Sequence, residues 1–269
     1  MTDKTLDTRP ETTFDPALPA ARLANASRTG ELLTDLPASE RPPSFDEAYI
    51  AQSLMVAGLD DPQVGWKIAG ASPAGLRGEL PNPAVTGCLT QARVFPSGTV
   101  VTLPAGASAT LETEVAVRFS RDVSPADEDF DAATMIDSAF VAIEVVCSRF
   151  VDRKAVSYPS FVADNAGFHA FIQGEAVAFS PDARFEDEAG IWKDDERLGG
   201  SLAGDKRTQP FLSLTFLFSE LRRRGITVPK GAIVTTGTLS VPFDTSRPGY
   251  YEARLGAAKV GVSLVYSAD

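Results

Sequence analysis

Apolar and polar residues alternate over positions 111 to 119, which predicts a β-strand with two different faces. Side chains of a strand repeat every two residues, so Glu112 and Glu114 lie together on one face. The other face carries the residues expected to cover a core, which are Leu111, Thr113, Val115, Val117 and Phe119. The strand therefore places two carboxylates side by side.

A third carboxylate, Glu144, stands in the apolar run from 140 to 149. An isolated buried carboxylate costs on the order of several kcal/mol, so it needs a partner, a proton or a cation. With Glu112 and Glu114, it suggests an oxygen-ligand site for a hard divalent ion such as Mg²⁺ or Mn²⁺. Taken alone, Glu112 and Glu114 also fit a solvated strand face.

Helical periodicity is confined to a few segments. Residues 17 to 35 suit one or two short helices, and Ser44 is placed to cap a helix that Gly58 ends. Ser124-Pro125 predicts a helix start running to about Ser138. A further amphipathic helix, with Gly225 as its stop, is predicted over 211 to 224.

The rest of the chain reads mainly as strands, and no strand-helix-strand rhythm is present. The predicted strands are 65–72, 92–95, 99–103, 111–119, the one containing Glu144, one after Asn165, 232–236, 238–241, 250–255 and 259–266. This pattern predicts an α+β fold with a mixed, mainly antiparallel sheet.

Three parts of the chain are expected. Residues 1–20 are polar and predict a mobile N-terminal arm. Residues 21–63 predict a small helical segment packed on the main body, which spans 64–269. Within the main body, residues 72 to 88 are rich in Gly, Pro, Ala and Asn, and are read as a loop, either a lid over a site or an ordinary surface loop.

Composition narrows the classes of function. The chain has 269 residues, 43% hydrophobic and 23% charged, with a net charge of -11, and its pI is near 4.7. A negative field argues against nucleic acid or an anionic membrane as partner. No apolar run is long enough to span a bilayer, and the N-terminus lacks the apolar core of a secretory signal, so the cytoplasm is the predicted location.

The residues most often used in soft metal sites and nucleophilic catalysis are scarce. Cys88 and Cys147 form no C-x-x-C pair, and Cys147 lies in an apolar run, so a small core residue is the prediction there. His169 is the single histidine, which excludes His-rich metal sites. For this residue a packed histidine on a strand is the prediction.

The order of motifs resembles the fumarylacetoacetate hydrolase superfamily. The motifs are Gly-x-Lys-Ile at 65–68, Glu-x-Glu at 112–114, Glu-Val-Val-x-Ser-Arg at 144–149, Ala-Asp-Asn at 163–165 and Lys-Gly-Ala-Ile-Val-Thr-Thr-Gly at 230–237. The spaced combination, over roughly residues 45 to 266, is fairly specific, whereas any single motif is weak. Within the superfamily, the chain is most similar to the 2-keto-4-pentenoate hydratases and 4-oxalocrotonate decarboxylases.

The resemblance implies a β-sheet roll that holds Mg²⁺ or Mn²⁺ through Glu112, Glu114 and Glu144. It implies that Lys67 is the active-site lysine, with a surface lysine as the alternative. It also implies substrate contacts near this site, at Ser72, Asp164, Asn165, Thr236 and Gly237. An Asx turn is the alternative for Asp164 and Asn165, and Ser148-Arg149 fits a structural ion pair.

The chain departs from the family pattern at three places. An acidic residue often precedes the Gly of the lid region, where this chain has Ala84-Val85-Thr86-Gly87. The usual Asn-Ala-Ser is Asn165-Ala166-Gly167, and Lys-Ile-Gly is Lys67-Ile68-Ala69. The metal ligands are therefore retained while the surrounding pocket differs.

The resemblance implies a metal-dependent lyase of a catabolic pathway. A hydratase that adds water to a 2-hydroxy-2,4-dienoate through a metal-stabilised enolate is placed first, ahead of a decarboxylase of the 4-oxalocrotonate type. Acylpyruvate C–C hydrolysis ranks lower, because its usual His-Glu pair is missing. An inactive partner subunit is a further alternative. Relatives assemble as homo-oligomers, and some associate with a related hydratase or decarboxylase.

Overall fold

A computed structural model describes residues 14–127, 131–180 and 182–268. It has the predicted α+β composition. The helices are α1 Ala17–Thr29, α2 Phe45–Ala57, α3 Pro73–Leu76, α4 Ala132–Met135, α5 Tyr158–Ala163 and α6 Pro210–Arg223. The strands are β1 Gln63–Ala69, β2 Val85–Thr90, β3 Val94–Pro96, β4 Thr99–Leu103, β5 Ala109–Phe119, β6 Ile136–Val146, β7 Phe168–Val177, β8 Ala189–Lys193, β9 Glu196–Gly199, β10 Ile233–Thr238, β11 Phe243–Thr245, β12 Gly249–Leu255 and β13 Ala258–Tyr266.

The larger sheet is a mixed, mainly antiparallel roll, as predicted. Its strand order is β2-β1-β10-β5-β6-β7-β3, and β11 pairs with the N-terminal end of β5, residues 109 to 111. β1 and β10 are parallel, as are β3 and β7. Strand β2 at one edge also contacts β7 near the other edge, so the sheet curls on itself. Its inner face is filled by Leu89, Ala116, Phe140, Ala142, Phe168, Phe171 and Ile233.

The second sheet, β4-β13-β12-β8-β9, covers the outer face of the roll. The period-two face of β5 points to it, because Val115 and Val117 pack with Val141 and Ile143 against Val262 and other residues of the second sheet. Alternation along β5 thus separates a core face from a face that carries the glutamates. This confirms the two-faced strand predicted for residues 111 to 119.

The N-terminal helical layer is present. The Ser44 hydroxyl caps α2 by accepting from the Glu47 amide at 3.3 Å, as expected for this residue type. Helices α1, α2 and α5 pack together around Leu23, Met55 and Val162. The layer lies over the end of the roll where β2 and the segment after α5 meet.

The predicted mobile arm, 1–20, needs correction. Residues 1–13 lie outside the described part of the chain. Residues 17 to 20 belong to α1, which buries Pro19 and Ala20 against the helical layer and ends at Gly30 with a φ of +76°. Burial of these small apolar residues stabilises a helix that their local sequence predicts weakly.

The loop predicted over residues 72 to 88 is also partly wrong. Residues 73 to 76 form α3, and residues 85 to 90 form β2, an edge strand antiparallel to β1. All six residues of β2 are buried. Half of the Gly and Pro residues that predicted a loop, Gly78, Pro81 and Pro83, belong to the connection at 77 to 84.

The helix predicted from Ser124 to Ser138 is wrong as well, although residues 128–130 of it lie outside the described part. Its first residues form a turn, in which the Ser124 amide donates to Asp127 at 2.8 Å. Helix α4 is only four residues long, and β6 begins at Ile136. Pairing of β6 with nearly the whole of β5 outweighs the helix-start pattern.

Within the described residues, no helix combines the length and the apolar character that crossing a membrane requires.

The two strands predicted at 232–236 and 238–241 differ from what the structure shows. The structure has one strand from Ile233 to Thr238, and the chain then turns away and returns as β11.

Candidate metal centre

Strand register brings the three predicted glutamates together. Glu112 on β5 is directly opposite Glu144 on β6, and Glu114 is one pair further along, opposite Ala142. All three therefore lie on the inner face of the roll, near one end. One carboxylate oxygen from each lies within 4.8 Å of the other two. This spacing is compatible with one cation that is shared by the three carboxylates.

Burial differs among the three carboxylates. Glu114 and Glu144 are 0% exposed, whereas Glu112 is half-buried. Within the described part of the chain, Glu114 Oε1 and Glu144 Oε2 have no hydrogen-bond partner, and Glu144 Oε1 has only an ion pair. Unpartnered buried carboxylate oxygens are costly, so these oxygens are suited to bind a cation or a proton. Solvent reaches the cluster from the Glu112 side.

The Glu114 carboxylate is oriented by the end of β10. Its Oε2 accepts a hydrogen bond from the Thr235 hydroxyl and another from the Gly237 amide, at 2.7 Å. Gly237 has a φ of +103°, and a Cβ there would lie 2.9 Å from Thr208 Oγ1, so glycine is required. The turn holds one oxygen and leaves the other facing the cluster.

Lys67 supplies the positive charge beside the cluster. Its side chain is 2% exposed, and Nζ lies 2.9 Å from Glu144 Oε1 and donates to the Ala166 carbonyl at 3.2 Å. Gly87 faces Lys67 across the β1–β2 pair, and a Cβ at Gly87 would lie 2.9 Å from Lys67 Cγ. The missing side chain at Gly87 therefore makes the space that the buried lysine stem occupies.

Burial and mutual repulsion favour the protonated form of the buried carboxyls in the cluster when no cation is bound. Burial, together with the charges of Glu144 and Glu112, raises the pKa of Glu114 well above its usual range, against the hydrogen bonds from Thr235 and Gly237. Burial also raises the pKa of Glu144, and the Lys67 charge opposes that shift. A divalent ion would relieve the same repulsion.

The donor set fits a hard divalent cation. It consists of carboxylate oxygens alone, it carries more negative charge than Lys67 neutralises, and its inner oxygens lack other partners. Mg²⁺ and Mn²⁺ prefer such oxygen ligands over nitrogen or sulfur. The residues present are therefore compatible with the cation that the sequence predicted.

We expect metal binding to release protons and to tighten as the pH rises. The raised pKa values mean that part of the metal-free population holds a proton that must leave before a cation binds. The metal-free protein should also lose stability as the pH rises from about 4.3, the value in an unfolded chain, through the folded pKa. Calorimetry of Mg²⁺ binding in buffers of different ionisation enthalpy measures the released protons. Metal binding that releases no protons would contradict this expectation.

The remaining predicted contacts have other partners in this structure. Ser72 caps α3 by accepting from the Gly75 amide at 3.3 Å. The Thr236 hydroxyl donates to the Val115 carbonyl at 2.8 Å. Gly237 contributes to the site through its amide, which holds Glu114. Substrate contacts for these three residues stay predictions.

Asp164 and Asn165 hold the loop that delivers Ala166 to Lys67. Asp164 is fully buried and pairs with the Arg149 guanidinium, and it accepts the Ser148 hydroxyl at 2.6 Å. The Asn165 side chain binds the Cys88 backbone at both its amide (2.6 Å) and its carbonyl (2.8 Å). Their side chains thus fix the loop, and direct contact with a substrate stays a prediction.

Sequence reasoning did not identify Thr235, Gly87 or the Ala166 carbonyl as parts of the site. Thr235, not its neighbour Thr236, lies on the inner face, because one residue along a strand reverses the face. The Thr-Thr-Gly motif contains this information only when the register is known. Gly87 and Ala166 contribute backbone features, which side-chain motifs do not reveal.

The histidine and the cysteines are buried groups. Burial, together with the nearby Arg93 charge, lowers the pKa of His169 to about 3, and its Nε2 lies 3.0 Å from the Thr102 carbonyl oxygen. Burial raises the pKa of Cys88 to about 12 and that of Cys147 to about 11. His169 is therefore neutral and both thiols are protonated at neutral pH, in keeping with the packed roles predicted for His169 and Cys147.

Comparison with known proteins gives relatives in structure only. No protein-family model matches this chain, and neither does the sequence of any curated protein. The solved structures similar to it include 4-oxalocrotonate decarboxylase from Pseudomonas putida G7, complexed with magnesium and adipate. That chain is 20% identical, with a TM-score of 0.78 over 98% of this chain and 100% of the other.

Two shorter matches extend the comparison. A 2-hydroxyhepta-2,4-diene-1,7-dioate isomerase from Mycobacterium marinum is 15% identical, with a TM-score of 0.51 over 78% of both chains. A fumarylacetoacetate hydrolase family protein from Yersinia pestis CO92 is 16% identical, with a TM-score of 0.53 over 77% of this chain and 95% of the other. The chain therefore has the fold of the fumarylacetoacetate hydrolase superfamily, as its motifs predicted.

Proposed function

We propose that the protein is a divalent-metal-dependent lyase that acts on a small 2-oxo carboxylate. The observation that carries the proposal is the trio of glutamates with unpartnered buried oxygens beside the buried ammonium of Lys67. A lyase of this kind has to hold a cation and to move one proton, and this cluster has the groups for both. The full-length likeness to a structure of 4-oxalocrotonate decarboxylase with magnesium supports the same class.

Glu112, Glu114 and Glu144 would hold the cation. A bound Mg²⁺ or Mn²⁺ would act as a Lewis acid towards the C1 carboxylate and C2 oxygen, and would stabilise negative charge on the C2 oxygen as an enolate forms. Lys67 would deliver the proton that converts the enolate to the 2-oxo product. Glu144 and the Ala166 carbonyl fix the Lys67 ammonium for this transfer.

Decarboxylation suits this site better than hydration. Loss of CO₂ from a carboxylate on a saturated carbon, β to the 2-oxo group or separated from that position by a double bond, leaves the electron pair of the broken C–C bond in the enolate, so only protonation remains for the protein. Addition of water needs a further group to activate that water. Val85 lies on the same face as Lys67 and is 2% exposed, in the region where the family often has an acid.

The hydratase activity placed first from the sequence remains the second candidate. The observation that favours it is the half-buried Glu112, since it leaves one side of the cluster open to water. Acylpyruvate hydrolysis is less supported, because His169 is a buried neutral group held at Thr102. Assembly as a homo-oligomer, or with a related hydratase or decarboxylase, stays a prediction, as does location in the cytoplasm.

A substrate panel tests the proposal. The purified protein should be incubated with 2-hydroxydienoates, 4-oxalocrotonate-type dicarboxylates and acylpyruvates, with and without Mg²⁺ or Mn²⁺. We expect metal-dependent CO₂ release together with a change in ultraviolet absorbance of a conjugated 2-oxo acid. Absorbance loss without CO₂ would favour the hydratase. Bound metal without any turnover on the panel would favour an inactive partner subunit.

A further inference from the structure

A small polar cavity lies between α1 and the roll, away from the metal centre. Six polar residues line it, and these are Ser27, Thr90, Arg93, Arg149, Asn165 and His169. Its volume is about 10 Å³, which is room for one occupant of about the size of a water molecule. A phosphate or carboxylate group is too large for this space, whereas a halide ion is the class of anion nearest to it in size.

Arg93 is half-buried at this cavity, and its guanidinium has no hydrogen-bond acceptor among the described residues. Its Nη1 lies 3.4 Å from His169 Nε2. That nitrogen lies 3.0 Å from the Thr102 carbonyl oxygen, which can only accept, so the neutral His169 ring carries its proton on Nε2. Arg93 and His169 therefore face each other as two donors, and the contact between them is not a hydrogen bond.

Arg149 adds a second guanidinium to the wall of the cavity. It pairs with the Asp164 carboxylate and donates to the Phe168 carbonyl at 2.7 Å, so its own charge is balanced. Burial and the Arg149 charge lower the pKa of Arg93, although the charge of Asp61 opposes that shift. No described carboxylate forms an ion pair with Arg93. The cavity therefore holds an excess of positive charge, in a chain whose net charge is -11.

Thr90 contributes a neutral donor to the same cavity. It is 1% exposed, and its hydroxyl neither caps the short turn at 91 to 93 nor bonds to any other residue that the structure describes. A buried hydroxyl without a partner is costly, and so is a half-buried cation without a counter-charge. Water could accept from the Thr90 hydroxyl but would leave the Arg93 charge uncompensated. An anion of the same size would satisfy both groups.

We infer that this cavity binds one monatomic anion, chloride in ordinary salt solutions, between the Arg93 guanidinium and the Thr90 hydroxyl. The ion joins the helical layer to the roll, because α1 and strands β2 and β7 all border the cavity. Asn165 in the wall also holds the Cys88 backbone, and so fixes the loop that carries Ala166. Bound anion should therefore stabilise this junction. The site does not depend on the metal centre or on the proposed function.

Anomalous scattering from crystals soaked in sodium bromide tests the site directly, because bromide replaces chloride and can be told from water. The wild-type protein should show a bromide peak in the cavity, within hydrogen-bonding distance of Arg93 and Thr90. Arg93→Gln should remove the peak. Arg184→Gln is the matched control and should keep it, since Arg184 is exposed and lines a different cavity of about 650 Å³. Water alone in the wild-type cavity, or a peak that survives Arg93→Gln, would overturn the inference.

Thermal unfolding separates anion binding from a purely structural role of Arg93. Sodium chloride is compared with sodium gluconate, whose anion is too large for the cavity. The gain in Tm from chloride should be roughly 2–4 °C larger in the wild-type protein and in Arg184→Gln than in Arg93→Gln. In gluconate, Arg93→Gln should unfold no lower than the wild type, because it removes an uncompensated cation beside Arg149. An equal loss of Tm in both salts would show that Arg93 only holds the fold. If Arg93→Gln does not fold, the wild-type bromide map decides.

Discussion

Glu144→Gln should lower the affinity for Mg²⁺ and Mn²⁺ by at least about 100-fold. The change removes a ligand oxygen and one negative charge while keeping the size of the side chain. It also removes the partner of the Lys67 ammonium, which is 2.9 Å away in a fully buried site. A free ammonium beside the cluster would repel a cation further. Isothermal calorimetry at pH 8 measures the affinity.

Glu196→Gln is the control for this loss. Glu196 is an exposed residue of β9, in the second sheet, so the substitution makes the same chemical change away from the cluster. It should leave the metal affinity within about twofold. Wild-type affinity in Glu144→Gln would remove Glu144 from the ligand set and with it the case for a three-carboxylate site.

Lys67→Met should lower turnover by about 100-fold or more while sparing metal binding. A positioned proton donor contributes roughly 10²- to 10⁴-fold to a rate. Removing its positive charge should leave the affinity for a cation equal or higher. Without metal, the variant should be less stable, because Glu144 loses its ion-pair partner and has to take up a proton in a fully buried site. Added Mg²⁺ should restore most of that loss.

Three separate assays are needed. Turnover is measured on the substrate identified by the panel, metal affinity by titration, and stability by thermal unfolding. Lys259→Met is the matched control, since Lys259 is an exposed residue of β13. It should match the wild-type protein in all three. Retained turnover in Lys67→Met would show that Lys67 plays no part in proton transfer and that its role is confined to pairing Glu144.

The core of the site follows from the sequence because it depends on short-range periodicity. Glu112 and Glu114 share a face through the two-residue repeat of a strand. Glu144 is conspicuous because a carboxylate in an apolar run needs compensation. The sequence alone does not show that Glu144 lies beside the other two glutamates, because this depends on strand pairing. The structure shows the pairing, with Glu112 directly opposite Glu144.

What the sequence could not supply is register and backbone geometry. The Thr-Thr-Gly motif suggested Thr236, whereas Thr235 binds Glu114. Asp164 fits both a substrate contact and a structural pair until Arg149 is seen beside it. Gly87 looked like part of a loop, yet its missing side chain accommodates Lys67. In each case the deciding contact joins residues far apart in the chain.

Local patterns also failed where long-range pairing dominates. The helix predicted from Ser124 gave way to β6, because β6 pairs with β5 along nearly its whole length. Helix α5 was missed, although Ser157 caps it and a proline lies in its first turn. Its six residues are too few for a clear helical period.

The most direct measurement is the anomalous scattering of Mn²⁺ in crystals of this protein. We expect one strong anomalous peak among the carboxylate oxygens of Glu112, Glu114 and Glu144, with the Lys67 ammonium beside it. The peak should disappear in Glu144→Gln crystals treated in the same way. A wild-type map with no peak at the three glutamates, at a pH where they are ionised, would contradict the metal centre and the function proposed from it.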